Sequence, residues 1–474
     1  MDWRTFHDFT NHRPDRAGGH IDDPGRPRPL DPSRMPQPFK DYLGQTASVD
    51  LVDHRRSWVD DSVSSSEDQL DLETLSRLLL LGAGTKRFRR MPDRYFRTYA
   101  SAGALHPNEV YLAAAPLDGC EAGLYHFHPR DKKLVALGKG DPRPLLVAAT
   151  GDESLLDQPA IFVISGIPWR TSWKYGPRGY RHLWWDAGMI IANLLALADS
   201  LGLPSRILVN FVDDEVNRLI GADGRSEMAL SLVAMGQGAV PSASDYSAVE
   251  LTAEPISSNP FEYPEITTIH QETSLKSIDE IRREPATAGN GTPLDHVEKV
   301  IWKRGSTRRF DRAGTIEREI LERILAYADA PMPCDWKQPI NEMFVIANAV
   351  DGLEAGAYRW AAEELEQIGT DQRSRDAALF LSLNQALGRD ASAVVFPMAD
   401  LRTTVDAVGA RGYRAAQLEG AIMSGRLYLA SYAAGYGATG LTFFDEGVSK
   451  YFETRREPML EVALGTPSYG LRMA

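Results

Sequence analysis

The chain repeats itself at one fixed offset. The segment DGCEAGLY at 118–125 returns as DGLEAGAY at 351–358, which is 233 positions later (351 − 118). The tetrapeptide RGYR at 178–181 returns at 411–414, and this offset is again 233 (411 − 178). Two matches that share an offset indicate two copies of a domain of roughly 200 residues. A chain of this kind is a fused form of a symmetric dimer, so its functional site is expected between the copies.

Composition narrows the class of protein. A length of 474 residues is enough for two domains that each bury a core. The net charge of −13 argues against binding to nucleic acid. Cys120 and Cys334 are the only cysteines, which excludes a disulfide framework or a cysteine zinc site. Since neither a secretory signal nor a membrane-length apolar run is present, we expect a cytoplasmic protein that does not insert in membranes.

The organisation along the chain follows from composition and periodicity. Residues 1–50 are rich in Pro, Arg, Asp and Gly and predict an extended arm. Residues 51–240 form the first copy and residues 296–474 the second. The stretch 241–295 is dense in Pro, Ser, Thr and Glu, and we expect it to be a linker that crosses one copy to reach the other.

Apolar periodicity predicts an α+β fold in each copy, because strands and helices do not strictly alternate. In the first copy it predicts helices at 70–81 and 183–201 and strands at 110–115, 124–128, 132–137, 160–165, 206–211 and 229–235. In the second copy it predicts helices at 316–328 and 417–434, strands at 343–347 and 393–397, a hairpin from Tyr358, and strands near Leu441 and Leu460.

A basic segment opens the second copy. Lys303–Phe310 reads KRGSTRRF, and forked guanidinium donors with a hydroxyl suit a phosphate, although a solvated basic loop has the same composition. The positions of Arg304, Ser306 and Arg308 resemble the Arg-x-Ser-x-Arg segment of the nitroreductase family, which holds the phosphate and ring edge of FMN. Downstream, 330–339 is similar to that family's Pro-Ser-Ser-x-Asn-x-Gln-Pro loop, with Met332 and Pro333 in place of the serines.

The first copy carries a different loop, RTYASAGALHP at 97–107. Its small residues permit close approach of a ligand. It resembles the Pro-Ser-Ala-Gly-Ala-Leu-His-Pro loop of the SagB-type dehydrogenases, the thiazoline/oxazoline oxidase branch of that superfamily. The resemblance covers residues 1–240, while residues 300–470 resemble the wider superfamily more loosely. It implies two tandem nitroreductase-like domains, each with a mostly antiparallel sheet flanked by helices, that pair within the chain.

Lys174 and Tyr175 are the candidate catalytic pair. Taken alone, a lysine beside a tyrosine is an ordinary surface pair. In the azoline dehydrogenases a Lys-Tyr pair at this place, before the Arg-Gly-Tyr-Arg stretch, is tied to catalysis. A lysine with a pKa lowered by burial can accept the proton while hydride leaves to the flavin, and a tyrosine hydroxyl can relay or stabilise charge. At the repeat offset stand Ala407 and Val408, so the first copy is expected to be the catalytic one.

The resemblance to the family implies that one site is shared between the two copies, and we expect one FMN per chain. The opposite site would draw on 55–57 and 331–339 and is expected to be vestigial. The predicted cofactor-binding residues of the competent site are Ser101, Ala102, Gly103 and Leu105 from the first copy and Arg304, Ser306, Arg308, Gly440, Leu441 and Thr442 from the second.

Other polar residues receive structural interpretations. Arg178 and Arg181 are retained at Arg411 and Arg414, which favours pairing at the start of a long helix over flavin contact. The histidines at 126 and 128 have no carboxylate or cysteine at ligand spacing, so no metal is expected.

The leading hypothesis is an FMN-dependent oxidoreductase that dehydrogenates a peptide-derived or other natural-product substrate, as in azoline-to-azole oxidation. An NAD(P)H-dependent reductase of nitro compounds, quinones or enones is the second enzymatic interpretation. A pseudoenzyme that binds a flavin or a leader peptide is the third. The expected partner is a small-molecule or peptide-derived substrate, free or bound to a carrier or leader, and the chain is a pseudo-dimer that is either monomeric or further oligomerised.

Overall fold

The fold was analysed in a computed structural model. It describes residues 1–14, 29–44, 46–60, 70–88, 91–239, 245–282, 284 and 293–469. Parts of the predicted arm (15–28 and 45) and of the predicted linker (241–244, 283 and 285–292) therefore lie outside the described residues.

The first half is an antiparallel sheet with helices packed on it. Its helices are α1 (Trp3–Phe9), α2 (Arg55–Asp60), α3 (Leu72–Gly82), α4 (Arg143–Thr150), α5 (Pro168–Tyr175), α6 (Gly179–Leu201), α7 (Asp213–Ile220) and α8 (Pro264–Glu272). Its strands are β1 (Ser48–Asp50), β2 (Thr85–Phe88), β3 (Met91–Arg97), β4 (Asn108–Ala114), β5 (Gly123–His128), β6 (Lys133–Lys139), β7 (Ala160–Gly166), β8 (Ser205–Leu208), β9 (Met228–Met235) and β10 (Ser247–Ala248). The sheet order is β1-β6-β5-β4-β7-β9-β8, β10 pairs with β6, and β2 and β3 form a separate hairpin.

The second half repeats this plan. Its helices are α9 (Val297–Lys303), α10 (Arg318–Asp329), α11 (Ser374–Leu381), α12 (Ala386–Asp390), α13 (Leu401–Val408), α14 (Arg411–Ala433) and α15 (Asp445–Tyr451). Its strands are β11 (Ile316–Glu317), β12 (Asn341–Ala347), β13 (Val350–Asp351), β14 (Gly356–Ala361), β15 (Glu364–Thr370), β16 (Ala393–Ala399), β17 (Gly437–Leu441), β18 (Glu457–Pro458) and β19 (Glu461–Gly465). The sheet order is β15-β14-β12-β16-β19-β17, β18 pairs with β16, and β11 pairs with β13.

The offset read from the sequence is preserved in space. Strands β4, β5 and β7 and helix α5 have the same bounds as β12, β14, β16 and α13 once 233 is added to each residue number. The α+β class and the tandem arrangement are therefore confirmed. The predicted helices and main strands are also found, with boundaries that differ by a few residues.

Two segments differ from the prediction. The N-terminal arm is not wholly extended, because Trp3–Phe9 forms α1 and buries Phe6 and His7. The predicted linker contains β10, which extends the first sheet, and α8, which packs against α1. Both segments look irregular in sequence because they are short and bury only a few side chains each.

Helices α6 and α14 form the centre of the molecule. Each spans 23 residues, and α14 is buried along nearly its whole length. They approach each other at small residues: a Cβ added to Gly188 would lie 2.9 Å from backbone atoms of Ala421 and Ile422, and a Cβ added to Gly425 would lie 2.5 Å from that of Ala192. Because the repeat relates Gly188 to Ala421 and Ala192 to Gly425, each contact joins two equivalent positions.

Reciprocal ion pairs join the halves beside these helices. Arg178 and Arg181 at the start of α6 bind Asp445 of the second half, at 3.0 and 2.8 Å. Arg411 and Arg414 at the start of α14 bind Asp213 of the first half, the latter at 2.6 Å. Burial opposes ionisation of Asp213, but the two arginines lower its pKa below its usual value. The pairing predicted for these arginines is confirmed, and it spans the two halves.

Replacing Gly188 with Ala should destabilise the whole chain. The added methyl group meets the backbone of α14, so the helices must separate, at a cost of about 1–3 kcal/mol. Urea unfolding followed by circular dichroism measures the change. Gly369→Ala is the control, because the nearest atom to its added Cβ is 3.9 Å away. Equal stability of the two variants would contradict the packing described here.

Candidate active site

The loop that follows β3 has an unusual backbone. Gly103, Ala104 and His106 all have positive φ angles, of 64°, 55° and 49°. Such angles are unfavourable for residues with a side chain and often mark functional sites. The hydrogen bonds that hold the loop include those to two side chains: the His106 amide donates to the Ser101 hydroxyl at 2.9 Å, and the Ala102 amide donates to Asp186 at 3.1 Å. Gly103 and Ala104 are exposed.

Lys174 and Tyr175 end helix α5 and converge on this loop. A Cβ added to Gly103 would lie 2.9 Å from the Tyr175 hydroxyl and 3.2 Å from Lys174 Nζ. Gly103 therefore suits the positive backbone angle, and its lack of a side chain leaves the space that the ends of these two side chains occupy. Both side chains are only partly buried, so the burial expected to lower the pKa of a lysine base is incomplete at Lys174.

Helix α6 supports the pair from beneath. The Tyr175 ring stacks on His182, with centroids 4.3 Å apart and planes 12° apart. Burial lowers the pKa of His182 well below its usual value, so this imidazole is neutral. Burial, aided by the charge of Asp186, raises the pKa of Tyr175 to about 12, so its hydroxyl keeps its proton at neutral pH.

An aromatic row continues from this pair into the second half. His182 contacts Trp185 at 4.5 Å between centroids, and Trp185 lies 6.2 Å from Phe443. Phe443 directly follows the predicted Leu441 and Thr442, which places the end of β17 on the same side of the molecule as the lysine–tyrosine pair. The neighbouring Leu105 is partly buried.

Two of the predicted second-half residues, Gly440 and Ser306, lie beside Tyr428. The Gly440 amide donates to the Tyr428 hydroxyl, and the Ser306 hydroxyl lies 3.4 Å from that oxygen. Tyr428 was missed in the sequence because it lies inside a buried helix. Its one signal was the repeat itself, which places Leu195 at the equivalent position of the first half.

Arg304 and Arg308 have different surroundings. Arg304 is buried, and its guanidinium donates to the carbonyls of Thr98 and Arg97, at 2.9 and 3.2 Å, so it ties the second-half segment to the strand that leads into the loop. Arg308 is exposed, and its backbone amide donates to the Tyr469 hydroxyl. Arg304 thus joins the two halves, and only Arg308 presents its side chain to solvent.

The open cleft is the region between the 101–105 loop of the first half and β17 of the second. The equivalent cleft on the opposite side is closed. The repeat offset relates Ala102 to Asp335, which accepts the amides of Val209 and Asn210 just after β8, both at 3.0 Å. Ile207 also exchanges backbone hydrogen bonds with Pro333 and Asp335. Among the described residues, no hydrogen bond joins the corresponding loop 101–105 to β17. One cleft is thus sealed by direct pairing, while its counterpart leaves Gly440 exposed.

Trp336 fills the closed cleft. It stands where the repeat places Gly103, it is buried, and its indole N–H donates to Glu419 at 2.7 Å. Arg55, the predicted cation of this side, bonds to Asp53 and to the Thr85 carbonyl. The glycine-to-tryptophan difference alone accounts for much of the contrast between the two clefts.

One potential metal-binding group occurs outside the clefts. Folding brings Asp41 and Asp131 to His128, which spacing alone did not indicate. Arg130 already pairs with both carboxylates, at 2.6 and 3.1 Å. The group is therefore explained by local charge pairing.

Comparison with known proteins identifies the family to which the chain belongs. The sequence profile of the Nitroreductase family matches residues 65–237 and 301–472, so the chain belongs to this family and contains its domain twice. A crystal structure of an Anabaena variabilis protein described as a nitroreductase has the same fold over 98% of this chain and 99% of its own, with a TM-score of 0.79 and 23% identity.

Three curated relatives each match about one domain. A Methanocaldococcus jannaschii protein named as a nitroreductase is 27% identical over 186 residues, which are 38% of this chain and 91% of the relative. The microcin B17-processing protein McbC of Escherichia coli is 26% identical over 34% of this chain and 60% of its own length. The trifolitoxin-processing protein TfxB of Rhizobium leguminosarum bv. trifolii is 26% identical over 35% and 46%.

Within the part of the chain that the structure describes, none of the helices combines the length and the apolar character needed to cross a bilayer.

Replacing Asp335 with Ala should weaken the closed cleft. The buried amides of Val209 and Asn210 would lose their acceptor, which costs about 2–4 kcal/mol of unfolding free energy. Asp406→Ala is the control, because Asp406 is exposed and its ion pair with Arg402 spans 3.9 Å. Chemical unfolding of both variants tests this, and an Asp335→Ala protein as stable as the control would show that the cleft is not sealed by these bonds.

Proposed function

We propose that the chain is an FMN-dependent oxidoreductase of the SagB type, which removes two electrons from an azoline ring or a similar centre in a peptide-derived substrate. The observation that carries this proposal is the position of Lys174 and Tyr175, at the open one of two otherwise equivalent clefts. The names of McbC and TfxB, both processing proteins of peptide products, support a peptide-derived substrate.

The residues of the open cleft fit a flavin. Gly103 and Gly440 are exposed and lack a Cβ, so a planar ring can approach their backbone. Asp186 Oδ2 and both ring nitrogens of His182 are buried without a partner among the described residues, as expected where a ligand or ordered water completes the site. The Ser306 hydroxyl and the exposed Arg308 are suited to the phosphate, with Arg304 holding their segment against the loop.

Bound there, FMN would supply a two-electron acceptor for hydride, and oxygen would take up the electrons to give hydrogen peroxide. The chain's own residues would manage the proton. As an azoline becomes an azole, one ring carbon loses hydride, its neighbour loses a proton, and the bond between them becomes double. Lys174 Nζ accepts that proton, and the Tyr175 hydroxyl, held by its stack on His182, donates a hydrogen bond to the charge that develops.

Purified protein should hold one FMN per chain. Trp336 and the Asp335 pairing occupy the second cleft, whereas Gly103 and Gly440 of the open cleft are exposed. Visible absorbance of protein reconstituted with excess FMN, compared with protein concentration, gives the ratio. The matched variant is Gly103→Trp, which places in the open cleft the side chain that fills the closed one. It should abolish binding, and a ratio near two would refute the assignment of a single site.

Lys174→Ala should slow substrate oxidation by about 10²–10⁴-fold while FMN remains bound, because general-base catalysis contributes this much. Anaerobic bleaching of the flavin by a synthetic thiazoline peptide, with mass spectrometry of the azole product, measures the rate. Tyr175→Phe should retain the base and lose only the hydrogen bond. Lys450→Ala is the control, since Lys450 is exposed on α15.

The same assay separates the reductase alternative. Bleaching by NADPH, with none by the thiazoline peptide, would replace the dehydrogenase proposal with a reductase. Full activity of Lys174→Ala would remove the lysine from the mechanism.

A further inference from the structure

Asp186 is a buried carboxyl group directly beneath the loop of the open cleft. Its side chain is 2% exposed. Oδ1 accepts the Ala102 amide at 3.1 Å, and the neighbouring Ser101 hydroxyl favours the charged form of the carboxyl group. Neither group is a cation, and Oδ2 has no partner among the described residues. A carboxylate left in this state would be costly to bury.

The repeat offers an internal comparison, because Glu419 stands 233 positions after Asp186 (419 − 186). Glu419 accepts the Trp336 indole at 2.7 Å and the backbone amides of Ile340 and Asn341 at 2.7 and 2.8 Å. Both of its oxygens are therefore bonded. Asp186 lacks the indole donor, since Gly103 stands where the second half has Trp336, and it lacks an amide donor at the position of Ile340, where the first half has Pro107.

Asp186 lies near the two residues of the proposed catalytic pair. The ends of the Tyr175 and Lys174 side chains lie close to Gly103, the residue after Ala102. Burial is the larger cause, and the charge of Asp186 adds to it in raising the pKa of both Tyr175 and Tyr99. Burial raises the pKa of Asp186 itself to about 7. The group is therefore placed to change its charge in the physiological range and to act on Tyr175.

We propose that Asp186 is a proton-dependent positioning residue: as a neutral acid it lets the 101–103 loop present Lys174 and Tyr175 to the cleft, and as a carboxylate it draws them towards itself. The reason is the unpartnered Oδ2. On ionisation this oxygen needs a hydrogen-bond donor. The Lys174 ammonium and the Tyr175 hydroxyl are donors close to Gly103, which directly follows Ala102. This inference rests on the proposed function only for its effect on turnover.

The test does not need substrate or flavin. Competitive acylation of Lys174, read by mass spectrometry across pH, reports its accessibility and protonation. In the native chain we expect an inflection near pH 7 in addition to that of the amine itself, and loss of this inflection in Asp186→Asn. Because the Ser101 hydroxyl favours the charged form of Asp186, Ser101→Ala should move the inflection to higher pH. This second variant keeps the test valid if Asp186→Asn does not fold.

Glu461→Gln is the matched control. Glu461 is also buried, and burial raises its pKa to about 8, but it accepts a hydrogen bond from the Ser382 hydroxyl of the second half. Its replacement should leave the Lys174 inflection in place. An inflection that is absent from the native chain, survives Asp186→Asn or disappears in Glu461→Gln would overturn the proposal.

The pH dependence of the melting temperature gives a second readout, and its direction can be predicted. A carboxyl whose pKa is raised on folding, here from 3.8 to about 7, destabilises the folded state as pH rises between those two values, so the melting temperature of Asp186→Asn relative to the native chain should rise between about pH 4 and about pH 7 and then level off. A difference that is constant with pH would also overturn the proposal. If these readouts hold while the thiazoline assay fails, Asp186 keeps its role and the proposed substrate is wrong.

Discussion

The contact between α6 and α14 determines how the two halves meet. At Gly188 and Gly425 the absence of a Cβ lets the helix backbones approach more closely than larger residues would allow. Because each glycine faces the alanine at its own equivalent position, the contact lies on the local twofold relation between the halves. The reciprocal arginine–aspartate pairs lie at the starts of the same helices, so they depend on this spacing. The open cleft depends on it too, since Arg304 reaches the carbonyls of the other half only across this interface.

At the two clefts, a few side chains distinguish the halves. Gly103 and Trp336 have equivalent places, and so do Asp186 and Glu419. The tryptophan fills its cleft and satisfies the carboxylate beneath it. The glycine leaves its cleft open, and the carboxyl group beneath it keeps one oxygen without a partner among the described residues. The residue at this position therefore affects both the space available to a ligand and the hydrogen bonds of the carboxyl group below it.

The repeat and the apolar periodicity were enough to predict the α+β class, the tandem arrangement and the main strands, because buried strands such as β7 and β16 are apolar along almost their whole length. Helix α5 was not predicted, although it carries Lys174 and Tyr175, since it is short and mixes polar with aromatic residues. Asp186 and Tyr428 were also missed as site residues. Their roles arise from contacts with residues far away in sequence, such as the 84 positions between Asp186 and Ala102. Local pattern carries no information about such contacts.

Fusion of the halves into one chain is what permits this division of roles. In a dimer of identical chains every substitution enters both clefts, so a tryptophan at the position of Gly103 would close both. In the fused chain Trp336 closes one cleft and leaves the other unchanged. The closed side can then add hydrogen bonds such as those of Asp335 to the interface. The open side keeps the strained loop and the unpartnered carboxyl group, features that reduce stability and that a binding site uses. The stability of one cleft therefore supports the other.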